Sequence, residues 1–287
     1  MTATVAELLD VLSLDRIEDD VFRGRSPETS LQRIFGGQVL GQALMAAGTT
    51  VTPQRYVNSL HAYFLRRGDP AVPIAYLVER VREGRSFSTR RVIGRQHGRP
   101  IFHMSASFQI SEPGLEHQDP APRVPDPDEL ESLAQYKARG NAGWSIDPDE
   151  WAAIDVRRVE ETAEAGSPDC CEVGRLRVWL KAAEPLPDDP LLHAAVLAYA
   201  SDLTLLAAAL VPHPVQIGDP QLFSASLDHA MWFHRPFRAD EWLLHDEHSP
   251  SAGNARGLGQ GRVFSRDGRL VATTVQEGLM RVGDPAP

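Results

Sequence analysis

The chain repeats one order of features twice. In each copy, a long apolar stretch with helical character is followed by a strand that contains a histidine, and later by a glycine turn that opens another strand. The two histidines, His61 and His229, lie 168 positions apart, and the two turn glycines, Gly98 and Gly268, lie 170 positions apart. A near-constant offset between unlike features indicates internal duplication. The chain is therefore predicted to fold as two related halves.

Hydrophobic periodicity assigns the elements of each half. Apolar character with helical spacing predicts helices at 5–14, 36–48 and 191–210. Alternation and β-rich runs predict strands at 56–65, 74–81, 86–94, 101–110, 152–159, 176–181, 223–233, 241–249, 255–265 and 269–281. A sheet laid round one apolar helix is the hot-dog arrangement. The predicted fold class is α+β, a double hot dog in which two antiparallel sheets are each wrapped round a long apolar helix.

Composition divides the chain into two domains and a connector. Residues 111–150 contain six prolines, and ten acidic residues against three basic ones, which is typical of a linker. The predicted N-terminal hot-dog domain covers 1–110. The acidic, Pro-rich linker covers 111–150, with a short helix near 128–138. The C-terminal hot-dog domain covers 151–287 and is predicted to carry the catalytic residues.

Composition also restricts location and site chemistry. The start of the chain has neither the basic region nor the long apolar region of an export signal, so a cytoplasmic protein is expected. No apolar run reaches 18 residues, which predicts no membrane insertion. The two cysteines, Cys170 and Cys171, are adjacent, and this disfavours both a disulfide and a zinc site. They are interpreted as small apolar residues near a strand start.

Arginine is concentrated in the first half of an acidic chain. The net charge is −10, yet residues 36–109 hold ten arginines against three acids. A guanidinium donates bidentately to phosphate, so this stretch predicts a polyanion site with Arg85 and Arg90 as candidate contacts. A solvated arginine face is the alternative. Nucleic acid is not expected, because the overall charge is negative and no basic stripe with interleaved aromatic residues occurs.

Asp202 is the strongest candidate for a functional side chain. It interrupts the otherwise apolar run from Ala198 to Ala207. A carboxylate is rarely buried unless it is paired or used, so Asp202 is predicted to be a partly desolvated base that deprotonates water. A position on the helix surface or a local cap is the alternative.

Two neutral polar residues of the second half are candidates to assist Asp202. Gln276 lies on an alternating strand, and its amide both donates and accepts hydrogen bonds. Ser226 lies on another strand, and each residue alone would be an ordinary strand residue. One acid/base site is predicted, on the second half, because the first copy lacks these groups: the overlay puts Gly41 opposite Asp202, Ser59 opposite Ser226, and a residue near Ser107 opposite Gln276.

Other site chemistries do not fit the motifs. Residues 84–88 lack the second glycine of a nucleophile elbow, and 257–261 lies between strands rather than opening a helix as a dinucleotide fingerprint does. The ten histidines lack metal-ligand spacing, so no metal or cofactor is predicted. His229 and His234 are interpreted as strand residues rather than bases. A hot-dog hydratase would need a histidine five residues after its aspartate, where this chain has Ala207.

Five stretches together carry a family resemblance that covers nearly the whole chain, from about residue 8 to 282. They are Arg33-Ile34-Phe35-Gly36-Gly37-Gln38, Gly84-Arg85-Ser86-Phe87-Ser88-Thr89-Arg90-Arg91, Tyr199-Ala200-Ser201-Asp202, Leu227-Asp228-His229-Ala230-Met231-Trp232-Phe233-His234-Arg235-Pro236-Phe237 and Thr274-Val275-Gln276-Glu277-Gly278. They resemble the type II acyl-CoA thioesterases, which are double hot-dog enzymes. The resemblance implies hydrolysis of medium- to long-chain acyl-CoA by a water that an Asp, a Thr or Ser, and a Gln activate. These roles map onto Asp202, Ser226 and Gln276.

The residues and the resemblance together predict a mechanism. Asp202 acts as general base on a water held by Ser226 and Gln276, and the backbone at Gly36 and Gly37 stabilises the oxyanion. The acyl chain lies between helix and sheet, and the CoA phosphates meet arginines within 80–99. Two alternatives stay open: a non-catalytic protein that binds or senses acyl-CoA, and a hot-dog enoyl-CoA hydratase. By analogy with other hot-dog sheets, a homo-oligomer is expected.

Overall fold

The structure is a computed structural model that describes residues 2–29, 31–139, 147–160 and 174–283. Cys170 and Cys171 lie outside the described residues. The first half contains, in chain order, α1 (Val5–Leu12), β1 (Asp15–Glu18), β2 (Val21–Gly24), α2 (Gly36–Thr49), β3 (Arg55–Phe64), β4 (Ile74–Glu83), β5 (Phe87–Gln96) and β6 (Arg99–Ile110). The short hairpin of β1 and β2 was not predicted, because four-residue strands are too short to show a periodicity.

The linker and the second half follow the same plan. The linker forms a 3-10 helix at Pro127–Glu129 and α3 at Leu133–Ala138. The second half contains β7 (Ile154–Val159), β8 (Arg175–Ala182), α4 (Pro190–Ser201), a 3-10 helix (Leu205–Leu210), β9 (Leu222–Ser226), β10 (Asp228–Phe233), β11 (Leu243–Gly253), β12 (Arg256–Ser265) and β13 (Leu270–Val282). Two predicted elements are therefore each split in two: the helix at 191–210 and the strand at 223–233.

The strands form one continuous antiparallel sheet. Its order is β1-β2-β4-β5-β6-β3-β10-β13-β12-β11-β8-β7, with β9 paired to β13. The two halves meet where β3 pairs with β10, and His61 faces Ala230 at the middle of that junction. The double hot-dog fold is confirmed, and the two predicted sheets are joined edge to edge into one.

The core helices α2 and α4 pack against each other between the two halves of the sheet. They run antiparallel: Gly37 at the start of α2 lies against the end of α4, and Gly48 lies against Leu191 at its start. A Cβ at Gly37 would lie 2.3 Å from the carbonyl oxygen of Tyr199, so only glycine permits this approach. The stretch Pro190–Leu210 is long and apolar enough to cross a membrane, but 78% of its most apolar window is buried inside the protein, as in a core helix.

The described part of the linker lies along the second half. The indole Nε1 of Trp179 on β8 donates to the carbonyl oxygen of Pro125 at 3.1 Å. The guanidinium of Arg266 on the second half contacts the carboxylates of Asp126 and Asp128. The acidic residues of the linker thus bind basic residues of the sheet next to it.

Candidate active site

Asp202 lies where the second core helix stops being α-helical. It is the C-cap of α4, with φ −80° and ψ −5°, and the chain continues into a 3-10 helix three residues later. Thr204, between the two helices, donates its hydroxyl to the fully buried carboxylate of Glu247 on β11. This bond fixes the chain just after Asp202 and so fixes the direction of its side chain.

The three polar residues predicted from the sequence meet at this point. The amide nitrogen of Gln276 donates to Asp202 Oδ1 at 2.5 Å and to Ser226 Oγ at 3.0 Å. Ser226 Oγ lies 3.4 Å from the same carboxylate oxygen. Gln276 is fully buried, and its Oε1 makes no hydrogen bond within the described residues. A carboxylate, a hydroxyl and a free amide oxygen therefore converge on one small volume.

The first half also contributes to the site. The backbone N–H of Gly37 donates to the Asp202 carboxylate, and a Cβ on Gly36 would lie 2.7 Å from Asp202 Oδ2. Phe35, the N-cap of α2, makes no capping bond with its own side chain. Asp202 thus occupies the position of a capping carboxylate, at the end of α2 where the helix dipole favours negative charge.

Burial makes Asp202 a stronger base than an ordinary aspartate. Its backbone is partly accessible, but its side chain is only 4% exposed. Burial raises the pKa of Asp202 from 3.8 to about 6, against the opposing effect of hydrogen bonds from Gln276, Gly37 and Ser226 and of the charge of Arg33. A carboxylate with this pKa is ionised at neutral pH and still holds a proton well during a reaction.

His229 is a site residue that the sequence did not reveal. Its ring lies on β10 with no exposed surface, and its Nδ1 is 3.9 Å from Asp202 Oδ1. Burial, followed by the nearby His245, lowers the pKa of His229 to about 3, so the ring is neutral and the contact is not an ion pair. The only sequence signal was its place in the stretch from Leu227 to Phe237 that resembles the family, and this does not distinguish a buried ring from an exposed one.

A cavity of about 840 Å³ opens beside these residues. Asp202, Ser226 and Gly36 lie on its wall, and its apolar lining includes Val39, Phe64, Phe102, Leu203 and Leu206. The volume lies within the usual range for small-molecule sites. The site therefore has room for an apolar ligand next to its polar groups.

Basic residues also line this cavity. They are Arg33, Arg66 and Arg67, all outside the stretch 80–99 that the sequence suggested. Burial and the like charge of Arg67 lower the pKa of Arg33. Among the residues that the structure describes, neither Arg33 nor Arg67 forms an ion pair with a carboxylate. Their charges are available to an anionic ligand.

The prediction that Arg90 contacts a polyanion is wrong. Arg90 is fully buried, donates to the hydroxyl and carbonyl oxygens of Thr50, and contacts Glu83 at 2.5 Å. Thr50 ends α2, so Arg90 lies about 20 Å from Gly36 along a helix of this length. Arg85 is exposed, but it lies on the hairpin beside Arg90 and does not line the cavity. Neither arginine lies at the site. The sequence misplaced them because it does not show which end of α2 each turn between strands approaches.

The residue equivalences read from the sequence overlay also need correction. At the junction of the halves, Leu60 pairs with Met231 and Ala62 pairs with His229. Counted from the equivalent turns at Gly98 and Gly268, Ala106 corresponds to Gln276, so their neighbours across the ladder, Leu60 and His229, correspond to each other. The overlay was off by one or more positions, because bulges and helix lengths differ between the halves. The structure pairs Thr50 with Asp202 as helix C-caps and Val57 with Ser226, in place of Gly41 and Ser59. Ala106 corresponds to Gln276 and lies next to Ser107, so the position predicted near Ser107 agrees with the structure.

Comparison with known families gives two matches within this chain. The family model described as acyl-CoA thioesterase matches residues 167–279, and the model described as acyl-CoA thioesterase N-terminal domain matches residues 25–109. Together they include the cavity arginines, the start of α2 and all three polar residues of the site.

Individual relatives match over nearly the whole chain. Acyl-coenzyme A thioesterase 8 of Homo sapiens is 42% identical over 282 residues, which cover 95% of this chain and 88% of that protein. Acyl-CoA thioesterase 2 of Haemophilus influenzae is 38% identical, with 99% and 100% covered. The crystal structure of an acyl-CoA thioesterase II, TesB2, from Mycobacterium marinum is 46% identical, covers 96% of this chain and 98% of its own, and superposes with a TM-score of 0.81.

Proposed function

The chain belongs to the acyl-CoA thioesterase family and hydrolyses acyl-CoA thioesters, and we propose that Asp202, Ser226 and Gln276 activate the attacking water. The observation that carries this proposal is the hydrogen-bonded cluster of the three side chains beside the cavity, around a buried carboxylate whose pKa is raised to about 6. A base of this strength is ionised at neutral pH, and its proton affinity is well above that of an exposed aspartate.

The step proceeds without a covalent enzyme intermediate. Asp202 takes a proton from water while the water oxygen forms a bond to the thioester carbonyl carbon, and the carbonyl π pair moves to oxygen. Ser226 and the free Oε1 of Gln276 hold the water. When the oxygen pair returns, the C–S bond breaks, its electron pair leaves on sulfur, and the proton held by Asp202 neutralises the thiolate. The products are a fatty acid and CoA.

The start of α2 serves two purposes in this scheme. The Gly37 N–H holds the Asp202 carboxylate, whereas Gly36 lies on the cavity wall. The N–H of Gly36 is therefore the proposed donor to the oxyanion, supported by the dipole of α2. Gly36 and Gly37 were predicted together as oxyanion donors. In this proposal, Gly37 donates to the base and Gly36 donates to the substrate.

The substrate we propose is a medium- to long-chain fatty acyl-CoA. The apolar cavity lining next to Asp202 accepts a hydrocarbon chain, and Arg33 and Arg67 face the same cavity with no ion-paired carboxylate among the residues that the structure describes. Guanidinium groups so placed bind the CoA phosphates more readily than an arginine already bonded within the protein, such as Arg90.

Replacing the base tests the mechanism. The variant Asp202→Asn keeps the shape of the side chain and its acceptor for Gln276, but it cannot take a proton. We expect kcat for palmitoyl-CoA to fall about a hundredfold or more, with an unchanged circular dichroism spectrum. Release of CoA at close to the wild-type rate would remove Asp202 from the mechanism, and tight binding of acyl-CoA by the wild type without CoA release would favour a binding protein.

A second test separates the two sets of arginines. Arg33→Gln combined with Arg67→Gln should raise KM about tenfold for palmitoyl-CoA, because phosphate contacts are lost, and should leave KM nearly unchanged for a short thioester without CoA. Arg85→Gln is the matched control and should change neither value. Equal effects of the double variant on both substrates would show that Arg33 and Arg67 act on folding or on the acyl chain instead of on CoA.

We also propose that the protein is a cytoplasmic homo-oligomer. Tyr63 is 52% exposed on the outer face of the sheet at the junction of the halves, where its ring lies beside that of His103. The paired rings of His61 and Trp232 lie nearby. Exposed rings on a continuous sheet face suit a second copy. Light scattering during gel filtration tests this, since a mass of 31.6 kDa would contradict it.

A further inference from the structure

The buried His229 has one ring nitrogen bonded and one without a partner. Its Nε2 lies 3.1 Å from Ser201 Oγ, whereas its Nδ1 makes no hydrogen bond within the described residues. Ser201 is itself fully buried, at the last position of α4. A neutral imidazole has one N–H donor and one bare acceptor, so the partner of Nε2 decides what Nδ1 presents.

Ser201 assigns the proton to Nε2. A serine hydroxyl has one proton, and that of Ser201 is directed to the carbonyl oxygen of Ala198 at 3.0 Å, the usual bond of a helical serine. In this arrangement Ser201 Oγ accepts from His229, and the imidazole carries its proton on Nε2. Nδ1 is left with a lone pair that faces Asp202 Oδ1 across 3.9 Å.

A lone pair beside a carboxylate favours only one of the two states of that carboxylate. It repels the ionised form weakly, and it accepts a hydrogen bond from the protonated form once the O–H turns toward it. A small rotation of either side chain closes 3.9 Å to hydrogen-bond distance. The partner is then most useful at the moment when Asp202 has just taken a proton from water.

We propose that the bare Nδ1 of His229 is the hydrogen-bond acceptor for protonated Asp202, which makes His229 a positioning residue of the hydrolytic step. This rests on the proposed role of Asp202 as base. During attack, the proton moves from water to Asp202, and the new O–H donates to His229 Nδ1. The proton remains on Asp202 until the C–S bond breaks and then passes to the departing sulfur, so His229 is not itself protonated.

The other groups around His229 do not compete for this role. The titratable side chains facing it or its partner are Tyr199 on α4, His245 and Glu247 on β11, and Arg33 before α2. Tyr199 is hydrogen-bonded to Thr2, and His245 Nε2 is hydrogen-bonded to Thr274, while its Nδ1 lies 2.8 Å from Glu247. β13 contributes the uncharged Thr274 and Gln276, and β3 contributes Leu60 and Ala62.

Two substitutions separate this role from simple packing. The glutamine of His229→Gln reaches the position of Nε2, so it keeps the bond to Ser201 and loses the acceptor. The asparagine of His229→Asn reaches the position of Nδ1, so it keeps an acceptor and loses the bond to Ser201. Only the first change should weaken Asp202 as a base.

The measurement is the pH profile of kcat/KM for an acyl-CoA substrate. In the wild type, the acid limb should lie at about pH 6, where Asp202 loses its charge as the pH falls. In His229→Gln, the limb should move down by about one pH unit and the plateau should fall about three- to tenfold. In His229→Asn, the limb should stay in place. An unmoved limb in His229→Gln, or an equal shift in both variants, would overturn the proposal.

A readout that needs no turnover covers the case in which a variant does not fold. In the wild-type chain labelled at histidine nitrogens, NMR should find the His229 proton on Nε2, and its Nδ1 signal should shift as Asp202 is protonated. A proton found on Nδ1 would overturn the proposal. This result is independent of the Asp202→Asn activity test, so failure of the histidine role and failure of the proposed base are distinguishable.

Discussion

The two halves of the sheet present equivalent inward positions, but only the second half fills them with polar side chains. Where the second half has Ser226, His229 and Gln276, the first half has Val57, Leu60 and Ala106. Leu60 and Ala106 are as buried as their counterparts. One scaffold thus tolerates either an apolar core or a reactive site at the same place, and three side chains make the difference.

Next to the C-terminal end of each core helix the difference is reversed, because there the first half has a large polar side chain and the second half has a glycine. Arg90 pairs with Ala106 in the first half, and Gly259 pairs with Gln276 in the second, so Arg90 and Gly259 are equivalent. A Cβ on Gly259 would lie 2.5 Å from the carbonyl oxygen of Leu205, so glycine makes room for the 3-10 helix that follows Asp202. In the first half, the side chain of Arg90 fills this space. The run Gly-Leu-Gly-Gln-Gly at 257–261 therefore has a packing role.

Charge at the two helix ends follows the same division. The C-terminal end of a helix favours a cation, and Arg90 donates to the carbonyl oxygen of Thr50 there. Asp202 lies at the C-terminal end of its own helix, which is unfavourable, and is stabilised by the N-terminal end of α2 instead. The half without polar site residues supplies the electrostatics that the reactive half needs.

The largest expected effect comes from replacing Gln276 of the second half with alanine, the residue that the first half has at the equivalent position. Gln276→Ala removes the amide that holds Asp202, Ser226 and the water, and we expect kcat for acyl-CoA to fall about a hundredfold. The reciprocal change, Ala106→Gln, should leave kcat unaltered. It should lower the free energy of unfolding, because it buries an amide at a position built for an apolar side chain, without a compensating hydrogen bond. Steady-state rates and urea denaturation check both. A gain of activity in Ala106→Gln, or none lost in Gln276→Ala, would end the distinction between the halves.

A smaller effect is expected where the first half uses a buried charge. Arg90→Leu removes the bonds to Thr50 and part of the packing under α2, and should lower the free energy of unfolding by about 2–3 kcal/mol. The control Arg91→Leu, at a half-exposed neighbour paired with Glu79, should cost about 0.5 kcal/mol or less. KM for palmitoyl-CoA should be unchanged in both. A selective rise of that KM in Arg90→Leu would return Arg90 to the CoA site.

The smallest effect is a gain of stability in the reactive half. The pKa of Asp202 is raised to about 6 in the folded protein from 3.8, so folding favours the protonated form. That contribution is present below about pH 3.8 and is lost as the pH rises through 6. Asp202→Asn resembles the neutral state and should increase the free energy of unfolding at pH 7 by about 1–3 kcal/mol, with no gain at pH 3.5. Urea denaturation at both pH values checks it, with Asp10→Asn, at an exposed position of α1, as control. Equal effects at both pH values would contradict it.

The sequence predicted much of the site because its signals were chemical. Asp202 was an acid in an apolar run, and both the stretch that contains Gln276 and the stretch that begins just after Ser226 resembled a known family. The arginines were misassigned because a count of charges along the chain does not say which end of α2 they approach. Arg90 is buried against Thr50, whereas Arg33 and Arg67 reach the cavity.

The duplication, the fold class and the three polar residues that meet beside the cavity were predicted from the sequence alone, since these predictions depend on residue type, on spacing and on the family resemblance of short stretches. Register was decided only by the tertiary structure. The sequence aligned His61 with His229, but the former is exposed and the latter is fully buried beside Asp202. Successive strand residues point to opposite faces, so a shift of one position exchanges the inside for the outside. Strand pairing and the antiparallel contact of α2 with α4 settle that shift, and they bring residues from both halves to one carboxylate.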